Sequence, residues 1–173
     1  SAQRVIEPLI RLSPTGRFGV ALKTLELLIT PGASTNVTLI VINQSQSSDG
    51  FRMTLSGIPQ TWLPAPAPQV ELPSGARQEI NLTLHPPRRA ETRAGNYRLL
   101  IQVSSQNVLT ETVEVWTILT VAPYTAFSSA LHPPRTGPHD AAQAIVRNLG
   151  NAPDVFTVTW SDPEARYEFR PVE

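Results

Sequence analysis

The sequence predicts an all-β chain built as a two-sheet antiparallel sandwich. Three observations carry this: apolar residues that alternate at period two, turn residues between the alternating runs, and no βα crossover in the middle of the chain. Composition agrees. Proline is 17 of 173 residues, cysteine is absent and the only lysine is Lys23. Charged residues are 16% of the chain, below the usual quarter.

Arg11 and Leu12 end a first apolar stretch, from Val5, in which Pro8 removes a ladder donor; this reads as an edge strand. Residues 1–17 are thus an N-terminal strand and lead-in, with a turn at Pro14-Thr15-Gly16. Phe18 to Thr30 is locally helix-friendly, yet all its neighbours are strands, so one kinked strand is expected. After Pro31-Gly32, Val37, Leu39 and Val41 lie on one face of a strand, with Thr38, Ile40 and Ile42 on the other. Phe51, Met53 and Leu55 alternate next. Val70 and Leu72 form a short strand, and Ile80, Leu82 and Leu84 another, stopped by Pro86-Pro87. Tyr97, Leu99, Ile101 and Val103 alternate, and Val113 to Val121 closes the set. One face of each strand needs burial, and a second sheet is the apolar partner on offer.

The chain then repeats itself. Ile145-Val146-Arg147-Asn148 matches Ile40-Val41-Ile42-Asn43, and Asp154-Val155-Phe156 matches Asp49-Gly50-Phe51, both at an offset of 105 residues. Tyr167 then falls opposite Trp62. A shared register across two strands and their loop predicts the same fold twice. The domains are 1–121, one sandwich, and 122–173, a partial second one, joined by the short linker Ala122-Pro123-Tyr124. The second copy reaches only the counterpart of Pro68. Three arrangements would complete it: a longer polypeptide, a small sheet packed on the first domain, or a homo-oligomer formed by strand exchange. No signal peptide is evident, and the segment reads as a piece of something longer.

The order of features in the first domain is distinctive. Pro31-Gly32-Ala33-Ser34-Thr35-Asn36-Val37-Thr38 leads into a strand ending at Asn43; Leu55-Ser56-Gly57-Ile58-Pro59 is followed by Trp62; Leu72-Pro73-Ser74-Gly75 precedes Ile80-Asn81-Leu82; Ala94-Gly95-Asn96-Tyr97 opens another strand. This resembles the immunoglobulin-like domains, of the NEW3 or CARDB-like type, that recur in bacterial and archaeal surface and secreted proteins. The resemblance implies a tandem immunoglobulin-like sandwich, its second copy incomplete, that acts as a spacer, adhesion or binding module beside neighbouring domains of the same polypeptide. It implies an extracellular, cell-surface or periplasmic location.

Chemistry-bearing patterns are few. With 14 basic and 14 acidic residues the formal charge is zero, which argues against nucleic acid as a partner. No run of 18 apolar residues marks a transmembrane segment. His85, His132 and His139 lack metal-ligand spacing, no Gly-x-Ser-x-Gly turn occurs, and no phosphate loop is present. No catalytic residue, metal site or cofactor is assigned, and an enzyme is not expected. Six residues are candidates for binding a protein or glycan partner. Trp62 follows a Gly-Ile-Pro turn, where a plug at the end of the sandwich is the structural alternative to a sugar-stacking platform. Trp116 and Ile118 point opposite to Val115, Thr117 and Leu119, onto an outer face for which we expect cover within the chain. Arg88, Arg89 and Arg93 form a small basic loop. A carbohydrate-binding or adhesive module using Trp62 or Trp116 is the alternative to a structural or protein-interaction module. Structural roles are expected for Asn43 and Asn148, which bond across the following loop; for Asp49 and Asp154, which cap turns; for Tyr97, as a tyrosine corner; and for Tyr167, as the counterpart of Trp62.

Overall fold

The computed structural model describes residues 9–134, 140–159 and 161. Among the described residues eleven strands and one short 3-10 helix follow in order: β1 (Arg11–Leu12), β2 (Phe18–Leu22), β3 (Glu26–Ile29), β4 (Thr35–Asn43), β5 (Asp49–Ser56), the helix Gln60–Trp62, β6 (Gln69–Leu72), β7 (Arg77–Leu84), β8 (Gly95–Ser105), β9 (Thr112–Val121), β10 (Phe127–His132) and β11 (Gln143–Asn148). The first nine strands make a sandwich of two sheets, ordered β1-β2-β4-β7 and β3-β9-β8-β5-β6.

Period-two alternation sets the core. Val20, Val37, Leu39, Val41 and Leu82 face it from one sheet; Phe51, Leu99, Ile101, Val103 and Leu119 meet them from the other. Phe18 and Phe51 touch across the layers, with ring centroids 4.9 Å apart, and both are fully buried. Burial of each such ring stabilises the fold by roughly 1.5–3 kcal/mol. The chain is an immunoglobulin-like β-sandwich.

The expected single strand from Phe18 to Thr30 is instead two strands in different sheets. β2 pairs with β4, whereas β3 runs parallel to β9, the one parallel ladder among the described strands. The chain crosses between sheets at Lys23–Leu25, where the Lys23 amide donates to the Thr38 carbonyl and the Thr117 hydroxyl donates to the Leu25 carbonyl. Thr117 thus fills an inward position with a buried hydroxyl that has its partner. The N-terminal edge strand is only Arg11–Leu12 among the described residues, paired with β2; Val5 to Pro8 lie outside them.

A separate two-stranded sheet follows the sandwich, and its register resembles that of the β2–β4 pair. β10 pairs antiparallel with β11. Phe127 stands opposite Asn148 as Phe18 stands opposite Asn43. Phe127 meets Phe156 at 5.4 Å with the rings tilted, as Phe18 meets Phe51. The strand expected from Asp154, the counterpart of β5, does not form among the described residues: 153–159 carry no ladder. β5 is held between β8 and β6, and nothing plays either part for 153–159 among the described residues.

Candidate interaction site

The structural residues come first, because they decide what remains free. Asn43 is fully buried at the end of β4. Its amide donates to the carbonyls of Ser47, Leu72 and Pro73, and its side-chain oxygen accepts from the amide and hydroxyl of Ser45. Asn148 bonds likewise, donating to the Ala152 carbonyl and accepting from the Gly150 amide. Asp49 is buried and accepts from the Ser105 hydroxyl at 2.6 Å and the Asn107 amide at 3.2 Å, so it fixes the turn after β8. Asp154 does not repeat this role. Its carboxylate is exposed and accepts only from the neighbouring Val155 amide, because no second β8 is present among the described residues. The Tyr97 hydroxyl donates to the Arg93 carbonyl, four residues upstream, which is the tyrosine-corner bond. Tyr167 lies outside the described residues.

Trp62 is corrected as a binding residue. It is 2% exposed, edge-on to Tyr97 with centroids 4.9 Å apart, and it seals the end of the core. Trp116 and Ile118 stand on the outer face of the five-stranded sheet, as expected, but among the described residues no strand of the chain covers Trp116. The strand before the first turn, β1, lies in the other sheet, and Trp116 stays 43% exposed. The Arg98 guanidinium lies 4.6 Å from the centre of the Trp116 ring, so a cation occupies the aromatic surface. Leu100 pairs across from Trp116, and the exposed Leu28 of β3 adds to the same outer face.

Arg88, Arg89 and Arg93 are all exposed. Their loop is also a seat for the chain's own second unit. The Arg88 guanidinium sits 4.3 Å over the Tyr124 ring in the linker. Beside it, Asn151 is buried. Its side-chain amide donates to the carbonyls of Thr92 and Ala122, its side-chain oxygen accepts from the Tyr124 amide, and its own carbonyl accepts from the Ala94 amide. These bonds run from the turn after β11 to the linker and to the arginine loop. Sequence reasoning missed Asn151. The one signal is a departure from the repeat: at the same offset the first copy has Gln46, which is exposed.

Glu111 is a further buried carboxylate, in the turn between β8 and β9. It accepts from the Thr15 hydroxyl at 2.8 Å and the Thr15 amide at 3.3 Å. The Ser13 hydroxyl and these Thr15 donors hold its pKa below the ordinary 4.5, against the opposing effect of burial.

One open groove of the second unit is lined mostly by apolar residues. A groove of about 460 Å³ lies between the β10–β11 sheet and residues 155–159. Phe127, Val146 and Ala144 line it from the sheet, and Phe156 and Val158 from the facing segment. Phe127 is 58% exposed where its counterpart Phe18 is wholly buried.

The topology places the chain among immunoglobulin-like sandwich domains. No family model matches it, and no curated protein does. Solved structures with a similar fold include the PapD-like domain 7 of human CEP192, at 14% identity over 70% of this chain and 96% of that one, TM-score 0.41. WR4, an MSP family member from C. elegans, is 11% identical over 60% of this chain and 97% of its own, TM-score 0.40. The E. coli chaperone DraB is 18% identical over 60% of this chain and 54% of its own, TM-score 0.37.

Proposed function

We propose that the chain is a non-catalytic spacer and protein-interaction module of a larger exported or cell-surface protein, a tandem of the NEW3 or CARDB-like kind. The observation that carries this is the Asn151 clasp. A spacer transmits orientation only when its units cannot swivel, and the two hydrogen bonds that buried Asn151 shares with Thr92 and Ala94, with two more at the linker, oppose swivelling. The carboxylates with the most defined surroundings, Asp49 and Glu111, hold turns in place, which supports a non-catalytic role. Zero formal charge supports a protein partner over a polyanion.

Trp116 supports the second reading, a glycan-binding module, since it alone of the two tryptophan candidates presents a ring to solvent. Passage of the full chain over a panel of soluble and insoluble polysaccharides separates the two. The spacer reading predicts no retention on any polymer. Retention that Trp116→Ala abolishes would replace it with the glycan reading.

A further inference from the structure

We infer that Asn36 and Asn81 are acceptors for an asparagine-linked glycan, displayed on the outer face of the four-stranded sheet. The reading rests on the export proposed above.

The sequence holds three Asn-x-Ser/Thr triplets with no proline at the middle position: Asn36-Val37-Thr38, Asn43-Gln44-Ser45 and Asn81-Leu82-Thr83. The fold sorts them by the side-chain nitrogen, the atom that would carry the sugar. Asn43 is excluded. It is wholly buried, and its Nδ2 donates to the carbonyls of Ser47, Leu72 and Pro73. A glycan on that nitrogen would displace these bonds and drive a bulky polar group into the end of the core. Asn36 in β4 and Asn81 in β7 are exposed. Their neighbours Val37 and Leu82 are buried, so alternation turns both asparagines away from the core. Among the described residues no hydrogen bond takes up either Nδ2.

The two exposed triplets are interlocked. Asn36 stands opposite Thr83, and Thr38 opposite Asn81. The Thr83 hydroxyl donates to Asn36 Oδ1 at 2.9 Å, and the Thr38 hydroxyl to Asn81 Oδ1 at 2.7 Å. Each asparagine thus engages its oxygen with the threonine of the other triplet. A glycan replaces one hydrogen on Nδ2 and leaves Oδ1 where it is, so both cross-strand bonds survive the modification. The donor is a lipid-diphosphate-linked oligosaccharide, supplied with its transferase at the export membrane. Nδ2 attacks the anomeric carbon. The bond from that carbon to the diphosphate oxygen breaks, and the lipid diphosphate leaves with the electron pair. Nδ2 gives up one proton to a base of the transferase. Because the folded ladder engages both threonine hydroxyls, the transfer belongs to the chain before β4 and β7 pair.

The test isolates the exported chain from its native cells and sequences its peptides by mass spectrometry. A parallel sample is first treated with an amidase that converts each glycan-bearing asparagine to aspartate. Glycan is expected at Asn36 and at Asn81, with Asn43 bare. Thr83→Val should remove the glycan of Asn81 and keep that of Asn36, and Thr38→Val should do the reverse, since the linear triplet selects the site. An exported chain bare at either asparagine would overturn the inference while the export reading stands. So would a glycan on Asn43, or a Thr83→Val chain that loses the glycan of Asn36 instead. A chain retained in the cytoplasm would overturn both readings.

Discussion

Asn43 and Asn148, 105 positions apart in the sequence, make the same pair of loop bonds: each side-chain oxygen accepts from the amide two residues on, and each side-chain amide donates to the carbonyl four residues on. The difference lies in their surroundings. Asn43 has three further bonds and no exposure, whereas Asn148 is exposed. Asn43→Ala strands buried carbonyls of two neighbouring loops and should cost about 2–4 kcal/mol. Asn148→Ala should cost about 1 kcal/mol or less. Urea unfolding of both variants checks the contrast.

The two phenylalanine pairs extend the comparison. Phe51→Ala empties the centre of a closed sandwich and should destabilise by about 3–5 kcal/mol. Phe156→Ala acts on an open groove and should change global stability by about 1 kcal/mol or less. Equal losses in thermal unfolding would mean that the second unit is as closed as the first.

Glu111 gives the fold a pH dependence. Its folded-state pKa lies below the ordinary 4.5, with the Ser13 hydroxyl as the largest cause. A depressed carboxylate contributes stability that is present above the unfolded value and lost as pH falls through the folded one. Below pH 4.5 the melting temperature of the wild type should therefore drop more steeply than that of Glu111→Gln. Parallel curves for the two proteins would show that the Thr15 contacts are not tied to the charge.

Gly57 holds φ at +86° in the turn after β5, and a Cβ there would collide with the carbonyl of Arg98. Gly57→Ala should cost at least about 2 kcal/mol, from left-handed strain and displacement of β8 together. Chemical denaturation measures it.

Much of the sandwich was legible because β5, β7, β8 and β9 alternate between buried and more exposed residues, whereas β4 buries Ile40 on its other face as well. The sheet switch between β2 and β3 was not. Ala21-Leu22-Lys23-Thr24-Leu25 holds no glycine or proline, and the crossing is made by tertiary bonds to Thr38 and Thr117. Tyr97 and Asn43 were legible from their place before or after a strand. The burial of Trp62 as a plug at the sandwich end was legible from its place after the Gly-Ile-Pro turn, whereas its packing on Tyr97, far along the chain, was not. The arginine loop read as solvated or open to a partner because nothing local in the sequence shows that Tyr124 and Asn151 come back to it. The missing strand over 153–159 follows from pairing: alternation gives a strand its faces, and only neighbours give it a ladder.

The central claim is that Asn151 fixes the second unit on the first. The chain has no cysteine, so spin labels placed at Thr54→Cys and Ser128→Cys, both exposed, report one distance. Pulsed dipolar spectroscopy should give a single narrow distribution that broadens in the Asn151→Ala background. A broad distribution in the labelled protein with Asn151 intact would contradict the clasp and the spacer reading together.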